Sequence, residues 1–195
     1  MRLKQWKLLL TKLNNMAKLK PAVHEGDHAT GNKKANIVLV EYGDFQCPHC
    51  GHAYPLLKRL VREMGDQLYF VFRNFPLREI HPHAYISAVT AEAAGKQGKF
   101  WQMHDLIFEN QDKLSKTYLL SLAELMRLDL TKFAKDSTSE EIRKKIETDF
   151  ESGIRSGVNG TPTFFLNNYR ISTYDETYES LLDAIQLESE MKLKS

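Results

Sequence analysis

The 195-residue sequence is poor in cysteine, in proline and in long apolar runs. No apolar stretch approaches the roughly 20 residues that a helix needs to span a bilayer. The formal net charge of +2 is too close to balance to indicate nucleic acid as a partner. The only two cysteines lie within one four-residue stretch, so they cannot staple distant parts of a fold. A disulfide-braced scaffold and a membrane span are therefore both disfavoured.

The composition instead predicts a packed globule. Hydrophobic residues make up 42% of the chain, with ten Phe, eight Tyr and two Trp. A chain of this length forms one domain, or one domain with an insertion, and can bury a real core.

The first 20 residues form a basic stretch with apolar residues at helical spacing and no acid. Three interpretations stay open: an extra helix docked on the domain, an extension that precedes a true start at Met16, and a membrane-surface or targeting helix. The longest apolar run here covers residues 8–10, whereas a secretory signal needs about 7–15 apolar residues. We therefore expect a cytoplasmic location. The alternative is a periplasmic or membrane-associated protein held by this helix.

The next part of the chain has the pattern of a βαβ unit. Residues 37–42 form an unbroken apolar run typical of a buried strand, and residues 48–64 carry an apolar stripe at helical spacing. A second strand is predicted over 68–75. Two strands joined in this way are parallel, with a right-handed crossover.

The remaining chain is mostly helical and ends in a hairpin and a helix. Predicted helices cover residues 84–94, 100–110, 117–128 and 139–152, followed by strands at 161–166 and 169–172 around an Asn167-Asn168 turn, and a helix at 174–187. The fold class is α/β, with a βαβ half and a ββα half flanking a helical block. The predicted division is an N-terminal extension and lead-in loop at 1–36, the βαβ half at 37–82, a helical insertion at 83–157, the ββα half at 158–187 and a charged tail at 188–195.

The cysteine pair forms a C-x-x-C motif, Cys47 to Cys50, between a strand and a helix. In this position a second thiol can resolve a mixed disulfide that the first thiol forms, so the motif indicates redox chemistry. The alternative is zinc bound by both cysteines with His49 and His52. Ligands inside one helical turn cannot all converge tetrahedrally, and structural zinc usually takes a second pair from a distant segment, so no metal is predicted.

Four motifs together resemble the DsbA-like branch of the thioredoxin superfamily. They are residues 40–51 (VEYGDFQCPHCG), 74–77 (NFPL) with 81–82 (HP), 97–104 (QGKFWQMH) and 157–164 (GVNGTPTF). The resemblance runs from about residue 27 to 187. It implies a thioredoxin-like fold with an inserted helical subdomain and a thiol–disulfide oxidoreductase. Its partners would be protein or small-molecule thiols and disulfides and a redox partner that recycles the dithiol. No cofactor is implied beyond the redox-active Cys47–Cys50 disulfide, and neither nucleic acid nor a membrane is predicted as a partner.

The first cysteine is expected to be the nucleophile. At the N-terminus of a helix, unsatisfied N–H groups and the helix dipole favour an anion and lower the pKa of Cys47. Pro48 suits the first turn because it lacks an N–H group, and His49 adds a donor beside the thiolate. Cys50, one turn further in, is the expected resolving thiol.

The resemblance adds a substrate-binding element at Thr161 and Pro162. In this superfamily the peptide bond before the proline is cis and faces the cysteines, leaving a backbone edge for a substrate chain. The Thr161 hydroxyl would tune the thiolate by hydrogen bonding, or serve only as a strand residue.

Glu41 lies six residues before Cys47 in an otherwise apolar strand. A buried carboxylate there has a raised pKa and can relay protons to and from Cys50. The alternative is an exposed or salt-bridged strand residue. Asp44 is expected to be a turn residue, and His81, His83 and His104 are expected to be structural.

Two other functions stay open. One is a glutathione-dependent transferase or isomerase on the same fold, although such enzymes typically lack the second cysteine. The other is a non-catalytic thioredoxin-like binding module.

Overall fold

The computed structural model describes residues 17–193 and is built around a five-stranded sheet in the order β1-β3-β2-β4-β5. The strands are β1 (His28–Gly31), β2 (Ile37–Gly43), β3 (Leu68–Asn74), β4 (Thr163–Leu166) and β5 (Tyr169–Arg170). Strand β2 is central: it pairs in parallel with β3 and antiparallel with β4. The predicted α/β fold is confirmed.

Helix α1 (Pro48–Met64) joins the two parallel strands, and its bounds are those predicted. Within β2, Glu41 lies directly opposite Phe72 of β3 and Phe164 of β4. Because residues opposite one another in a sheet share a face, these three side chains point toward the same side. Helix α1 packs on this side through Ala53, Leu57 and Leu60, and so lies directly above Glu41.

Six further α-helices follow β3. They are α2 (Ala84–Gly95), α3 (Phe100–Glu109), α4 (Lys116–Leu125), α5 (Leu130–Ser137), α6 (Glu140–Arg155) and α7 (Tyr178–Leu193). The prediction placed one helix at 117–128 and missed α5. Arg127 adopts a left-handed backbone (φ 54°), and the Asp129 side chain then accepts a hydrogen bond from Lys132 N–H, which starts a new helix.

Three other boundaries also differ from the predictions. The lead-in at 21–36 contains β1, a short strand without apolar alternation that forms because β3 offers it an edge. Helix α7 begins at Tyr178 and not at residue 174, since the Thr177 side chain caps it by accepting from Ser180 N–H. Helix α7 continues as far as Leu193, so the part of the predicted tail up to that residue is helical.

The N-terminal lead-in is bound to the sheet. Residues 1–16 of the predicted basic helix lie outside the described residues. Residues 17–20, also assigned to that helix, run instead beside β5: Lys18 forms an isolated bridge with Tyr169, and Leu19 is buried. Within residues 17–193, no helix combines the length and apolarity needed to cross a membrane.

The inserted helices α2–α6 share one core with the cysteine pair. Cys47, Cys50 and Phe45 belong to the same buried cluster as Met103 and Ile107 of α3. The insertion therefore packs directly against the segment that carries the C-x-x-C motif.

A buried ion pair fastens the lead-in to β3. Arg73 and Asp27 are both almost fully buried, with Nε and Nη2 of Arg73 donating to the two carboxylate oxygens at 2.8 and 2.9 Å. The guanidinium also donates to the carbonyl oxygens of Pro21 and Ala22 and to the Tyr42 hydroxyl. All these contacts hold residues 21–27 against the sheet.

Replacing Asp27 with Asn should destabilise the protein strongly. The change leaves a buried guanidinium charge without its counter-ion, and breaking a buried pair in this way costs about 3–5 kcal/mol. Urea unfolding measures the loss. The matched control is Glu25→Gln, which breaks the exposed pair with Lys33 and should cost less than about 1 kcal/mol. Equal losses in the two variants would contradict a structural role for the buried pair.

Candidate active site

The C-x-x-C motif begins helix α1. Cys47 is the N-cap residue, with an extended backbone (φ −68°, ψ 123°), and Pro48 occupies the first turn. The Cys47 carbonyl accepts the first helical hydrogen bond, from Gly51 N–H at 3.0 Å. Both cysteines are free thiols; Cys47 retains 3% exposure and Cys50 has none. Of the two residues, only Cys47 retains any exposed surface.

The environment separates the acidities of the two thiols. Hydrogen bonding from the Cys50 thiol, from Thr161 and from the N–H groups of Cys50 and His49 lowers the pKa of Cys47 to about 5, against the opposing effect of burial. Burial raises the pKa of Cys50 well above its ordinary value, and the nearby Cys47 and Glu41 raise it further. At neutral pH the first sulfur is a thiolate and the second a thiol.

Thr161 and Pro162 face the first sulfur. The Cys47 sulfur lies 3.3 Å from the Thr161 carbonyl oxygen, to which it donates when it is protonated, and the Thr161–Pro162 peptide bond is cis. The Thr161 hydroxyl is buried and has no other partner among residues 17–193, so it can rotate toward the thiolate. The structure thus brings the two distant motifs of the sequence to one point.

Glu41 lies beneath the dithiol and is 2% exposed. Its Oε1 has no hydrogen-bond partner within the described part of the chain. Burial, with a smaller effect from the Cys47 thiolate, raises the pKa of Glu41 to about 8. The carboxyl group is thus mostly protonated at neutral pH. The alternative of an exposed or salt-bridged Glu41 does not fit this geometry.

A cavity of about 300 Å³ connects Glu41 with the protein surface. Its walls are mainly apolar, and exposed Lys58 and Arg62 line its outer part. His104 also lines the cavity, and its Nε2 is buried without a partner among the described residues. A cavity of this size, with the buried Glu41 Oε1 and His104 Nε2 in its wall, can hold water.

His104 itself is enclosed by aromatic rings. Phe45, Phe72, Phe108 and Trp101 lie with ring centroids 4.9–5.6 Å from the imidazole. Burial lowers the pKa of His104, so the ring is neutral, and its Nδ1 lies 3.0 Å from the Asp105 carboxylate. This environment matches the structural role expected for His104.

Asp44 organises the turn that precedes the cysteines. Its N–H donates to the Cys50 sulfur at 3.4 Å. Its buried carboxylate accepts from Gln46 N–H at 2.8 Å and Leu77 N–H at 2.9 Å, and lies 2.7 Å from His81 Nδ1. Asp44 is thus a turn residue, as expected, but it also ties the 77–81 loop to the site, which sequence spacing could not show.

Glu176 meets the motif histidines from the loop before α7. Its Oε1 lies 2.8 Å from His49 Nδ1, and its carbonyl oxygen lies 2.9 Å from His52 Nε2. Glu176 adopts a left-handed backbone (φ 70°), which turns it toward these rings. The site chemistry predicted from sequence did not include Glu176, because only tertiary folding brings the loop beside α1. Within residues 17–193, no group of three or more His, Cys, Asp or Glu side chains is arranged to hold a metal ion.

Gln111 reaches the same turn from the helical insertion. Its amide nitrogen donates to the carbonyl oxygens of Phe45 and Cys47 at 2.9 and 2.8 Å. Sequence reasoning missed this residue too, since a lone glutamine after a helix carries no signal of its own.

Comparison with known proteins supports the fold. A family model described as Thioredoxin matches residues 23–186. Among solved structures, oxidised BdbD from Bacillus subtilis is 21% identical with a TM-score of 0.75, covering 90% of this chain and 98% of that one. A thioredoxin-like oxidoreductase from Silicibacter pomeroyi DSS-3 is 23% identical (TM-score 0.74; 86% and 94% covered). DsbA2 from Pseudomonas aeruginosa is 25% identical (TM-score 0.67; 85% and 96% covered).

Curated relatives are much longer proteins. The Na(+)/H(+) antiporter NhaA 1 of Salinispora arenicola is 41% identical over 150 residues, which are 77% of this chain but 23% of the relative. The NhaA antiporter of Herminiimonas arsenicoxydans is 38% identical over 166 residues, 84% of this chain and 26% of the relative. The chain spans about a quarter of the length of these relatives.

The predicted cytoplasmic location is wrong. The DsbA-like proteins that share this fold are periplasmic or extracellular oxidoreductases. The prediction rested on the lack of an apolar run in the first 20 residues, and that feature does not report on the compartment where a dithiol works.

Replacing Glu41 with Gln should change how stability depends on pH. Unfolded Glu41 gives up its proton near 4.5, whereas the folded protein holds it until about pH 8, so the wild type loses stability as pH rises between these values. The reduced variant should match the wild type at the acidic end and be more stable by about 3 kcal/mol at pH 7. Urea unfolding across this range measures the difference. A gap that stays constant with pH would show that Glu41 does not titrate in this way.

Proposed function

This chain belongs to the thioredoxin family, and from that premise we propose that it is a DsbA-like thiol–disulfide oxidoreductase acting through Cys47 and Cys50. The observation that carries the proposal is the contrast between the two sulfurs. Cys47 retains slight exposure and has a pKa of about 5, while Cys50 is fully buried and its pKa is raised. A nucleophile and a resolving thiol need this difference, because the thiolate is the attacking and the better leaving form of sulfur.

In the oxidising direction, a substrate thiolate attacks the Cys47 sulfur of the Cys47–Cys50 disulfide. The enzyme's S–S bond breaks, a substrate–Cys47 disulfide forms, and Cys50 leaves and takes up a proton. A second substrate thiolate attacks the substrate sulfur, closes a substrate disulfide and releases Cys47 as a thiolate. Two electrons pass from substrate to enzyme. Reduction of a substrate disulfide follows the same steps in reverse.

The residues next to Cys47 stabilise the released thiolate. Pro48 places no N–H group in the first turn, and the N–H groups of His49 and Cys50 are directed at the sulfur. The His49 side chain pairs with Glu176 at the surface, where both groups are about half exposed. An exposed pair of this kind contributes little to stability, so His49 acts mainly through its backbone.

Thr161 and Pro162 provide the substrate-binding edge. The Thr161 carbonyl lies 3.3 Å from the Cys47 sulfur, so an extended peptide chain laid along this edge brings its cysteine to the nucleophile. Protein or small-molecule thiols and disulfides are the proposed substrates. A separate redox partner recycles the dithiol, and the Cys47–Cys50 disulfide is the only redox group required.

Glu41 is the proposed proton acceptor for Cys50. Its pKa of about 8 keeps it between the pKa values of Cys47 and Cys50, and it is close enough to Cys50 to raise the pKa of that thiol. The cavity that Glu41 lines gives its proton a route to solvent.

The two cysteine variants test the assignment of roles. Cys50→Ala should accumulate stable mixed disulfides with substrate proteins, because the resolving thiol is gone, whereas Cys47→Ala should accumulate none, because the buried sulfur cannot be reached. Non-reducing electrophoresis after alkylation measures both. Wild-type turnover in insulin reduction is the reference. Equal trapping by the two variants would contradict the roles, and absence of wild-type turnover would favour a binding module.

Glu41→Gln tests the proton acceptor. The variant keeps the shape of the side chain but cannot accept the Cys50 proton, so escape from a mixed disulfide should slow about 10- to 100-fold. The slowing should hold up to about pH 8, because ionised Glu41 and ionised Cys50 grow in parallel below that pH, and it should shrink above it, where Glu41 is already fully ionised and Cys50 keeps gaining thiolate of its own. Rapid-mixing kinetics of a preformed mixed disulfide isolates this step. A rate unaltered across the pH range would place Glu41 among ordinary buried residues.

A further inference from the structure

We propose that Gln111, which belongs to the helical insertion, is a positioning residue that holds the nucleophile Cys47 in its N-cap geometry. Gln111 begins a short 3₁₀ turn, Gln111–Lys113, just after α3. It is far from the C-x-x-C motif in sequence. The inference rests on the proposed function, because a positioned nucleophile matters only if Cys47 reacts.

The first observation is a pair of hydrogen bonds from one amide. Gln111 Nε2 donates to the carbonyl oxygen of Phe45 at 2.9 Å and to that of Cys47 at 2.8 Å. Both hydrogens of the NH₂ group are thereby used. The two acceptors lie on either side of Gln46, so the amide spans the turn that leads into α1 and fixes both of its ends.

The second observation concerns what these carbonyls need. Phe45 is 1% exposed, so its carbonyl oxygen requires a donor from the protein. The Cys47 carbonyl accepts the Gly51 N–H of the helix and has a second lone pair directed outward. Gln111 gives the Phe45 carbonyl its donor and gives the Cys47 carbonyl a second hydrogen bond. The second bond holds the peptide plane of Cys47 in place.

The third observation is the contact between Gln111 and Gly51, which accounts for a glycine inside helix α1. A glycine inside a helix costs about 1 kcal/mol relative to alanine. A Cβ at this position would lie 2.2 Å from Gln111 Oε1 and 3.0 Å from its Cδ. The helix thus lacks a side chain at the place where the Gln111 amide lies against it. We call the two hydrogen bonds from the Gln111 amide to the carbonyl oxygens of Phe45 and Cys47 the clamp. The missing side chain of Gly51 leaves the space that this amide occupies.

The consequence for Cys47 is geometric. The hydrogen bonds that lower the pKa of Cys47 come first from the Cys50 thiol, then from Thr161 and from the N–H groups of Cys50 and His49. They act only while the Cys47 sulfur lies in line with these donors. The direction of the side chain follows from the backbone of residues 45–47, which the clamp holds. Gln111 is neutral, so it acts through the orientation of the backbone and not through charge. A glutamine that only contributed packing would change stability and leave the acidity of Cys47 where it is.

Two variants separate these roles. Gln111→Ala removes the donors, and Gly51→Ala pushes the amide away while leaving Gln111 unchanged. If the clamp positions Cys47, both should raise its pKa by about one unit, the scale of one or two lost hydrogen bonds. They should also slow alkylation by iodoacetamide at mildly acidic pH by up to about tenfold. The pH titration of thiolate ultraviolet absorbance in the reduced protein gives the pKa directly.

Gln97→Ala is the matched control. Gln97 is also an insertion glutamine that bridges two backbone groups, donating to the Asp129 carbonyl at 3.1 Å and accepting from Asp129 N–H at 2.9 Å. Its loss should lower the melting temperature without moving the pKa of Cys47. If Gln111→Ala fails to fold, Gln111→Met keeps the bulk of the side chain, lacks both donors and should give the same pKa shift.

The pKa of Cys47 in the variants tests the role of Gln111, and insulin reduction by the wild type tests the proposed function separately. A Cys47 pKa unchanged in both clamp variants, with insulin reduction intact in the wild type, overturns the role of Gln111 alone. A shift in Gln111→Ala that is absent in Gly51→Ala also overturns the proposed contact. A shift in both variants supports the clamp even if the wild type proves inactive toward insulin, in which case the proposed function fails separately.

Discussion

The active site depends on one junction, where strand β2 ends and helix α1 begins at Cys47. The N-cap position gives the first sulfur the unpaired N–H groups of the helix, which favour a thiolate. One helical turn later, Cys50 points inward to the sheet, where Glu41 lies beneath it. A single backbone geometry thus makes one sulfur acidic and reachable and the other weakly acidic and enclosed. Two identical side chains thereby acquire opposite acidities, which is what the proposed roles of nucleophile and resolving thiol need.

The helical insertion is bonded to the end of β3 by buried polar groups. Asn74, the last residue of β3, donates from Nδ2 to Glu92 of α2 at 2.6 Å and to Asp149 of α6 at 3.1 Å. Each of the two carboxylates has a further partner: His28 Nε2 lies 2.8 Å from Glu92, and Lys145 lies 2.7 Å from Asp149. Buried groups of this kind are costly when unpaired, so the network tolerates few relative positions of insertion and sheet. This network holds the insertion against the sheet, and Gln111 of the insertion bonds to the cysteine turn.

Local signals in the sequence predicted the core of this arrangement, and tertiary contacts supplied the rest. The bounds of α1 followed from its apolar stripe and the stop at Gly65, and the buried position of Glu41 followed from an apolar run around it. Strand β1 carried no such pattern, because an edge strand needs only backbone pairing with β3. Gln111 and Glu176 reach the site from distant segments, and no spacing rule connects them to residue 47. The compartment was wrongly predicted because it was inferred from the short apolar run in the first 20 residues, which does not report on where a dithiol works.

The pKa of Cys47 bears on the direction of electron flow. At pH 7, a thiolate with a pKa of about 5 stabilises the reduced enzyme by about 2–3 kcal/mol more than one with a pKa of 7. For a two-electron couple this corresponds to about 50 mV toward the oxidising side. Above about pH 8 Glu41 is ionised, and its negative charge beneath the cysteine pair disfavours the Cys47 thiolate. Ionised Glu41 therefore lowers the potential. In the proposed oxidoreductase, protonated Glu41 therefore belongs to the more oxidising form. Glu41 and the Cys47 thiolate interact directly, so in the proposed oxidoreductase the potential depends on the ionisation of Glu41 around neutral pH.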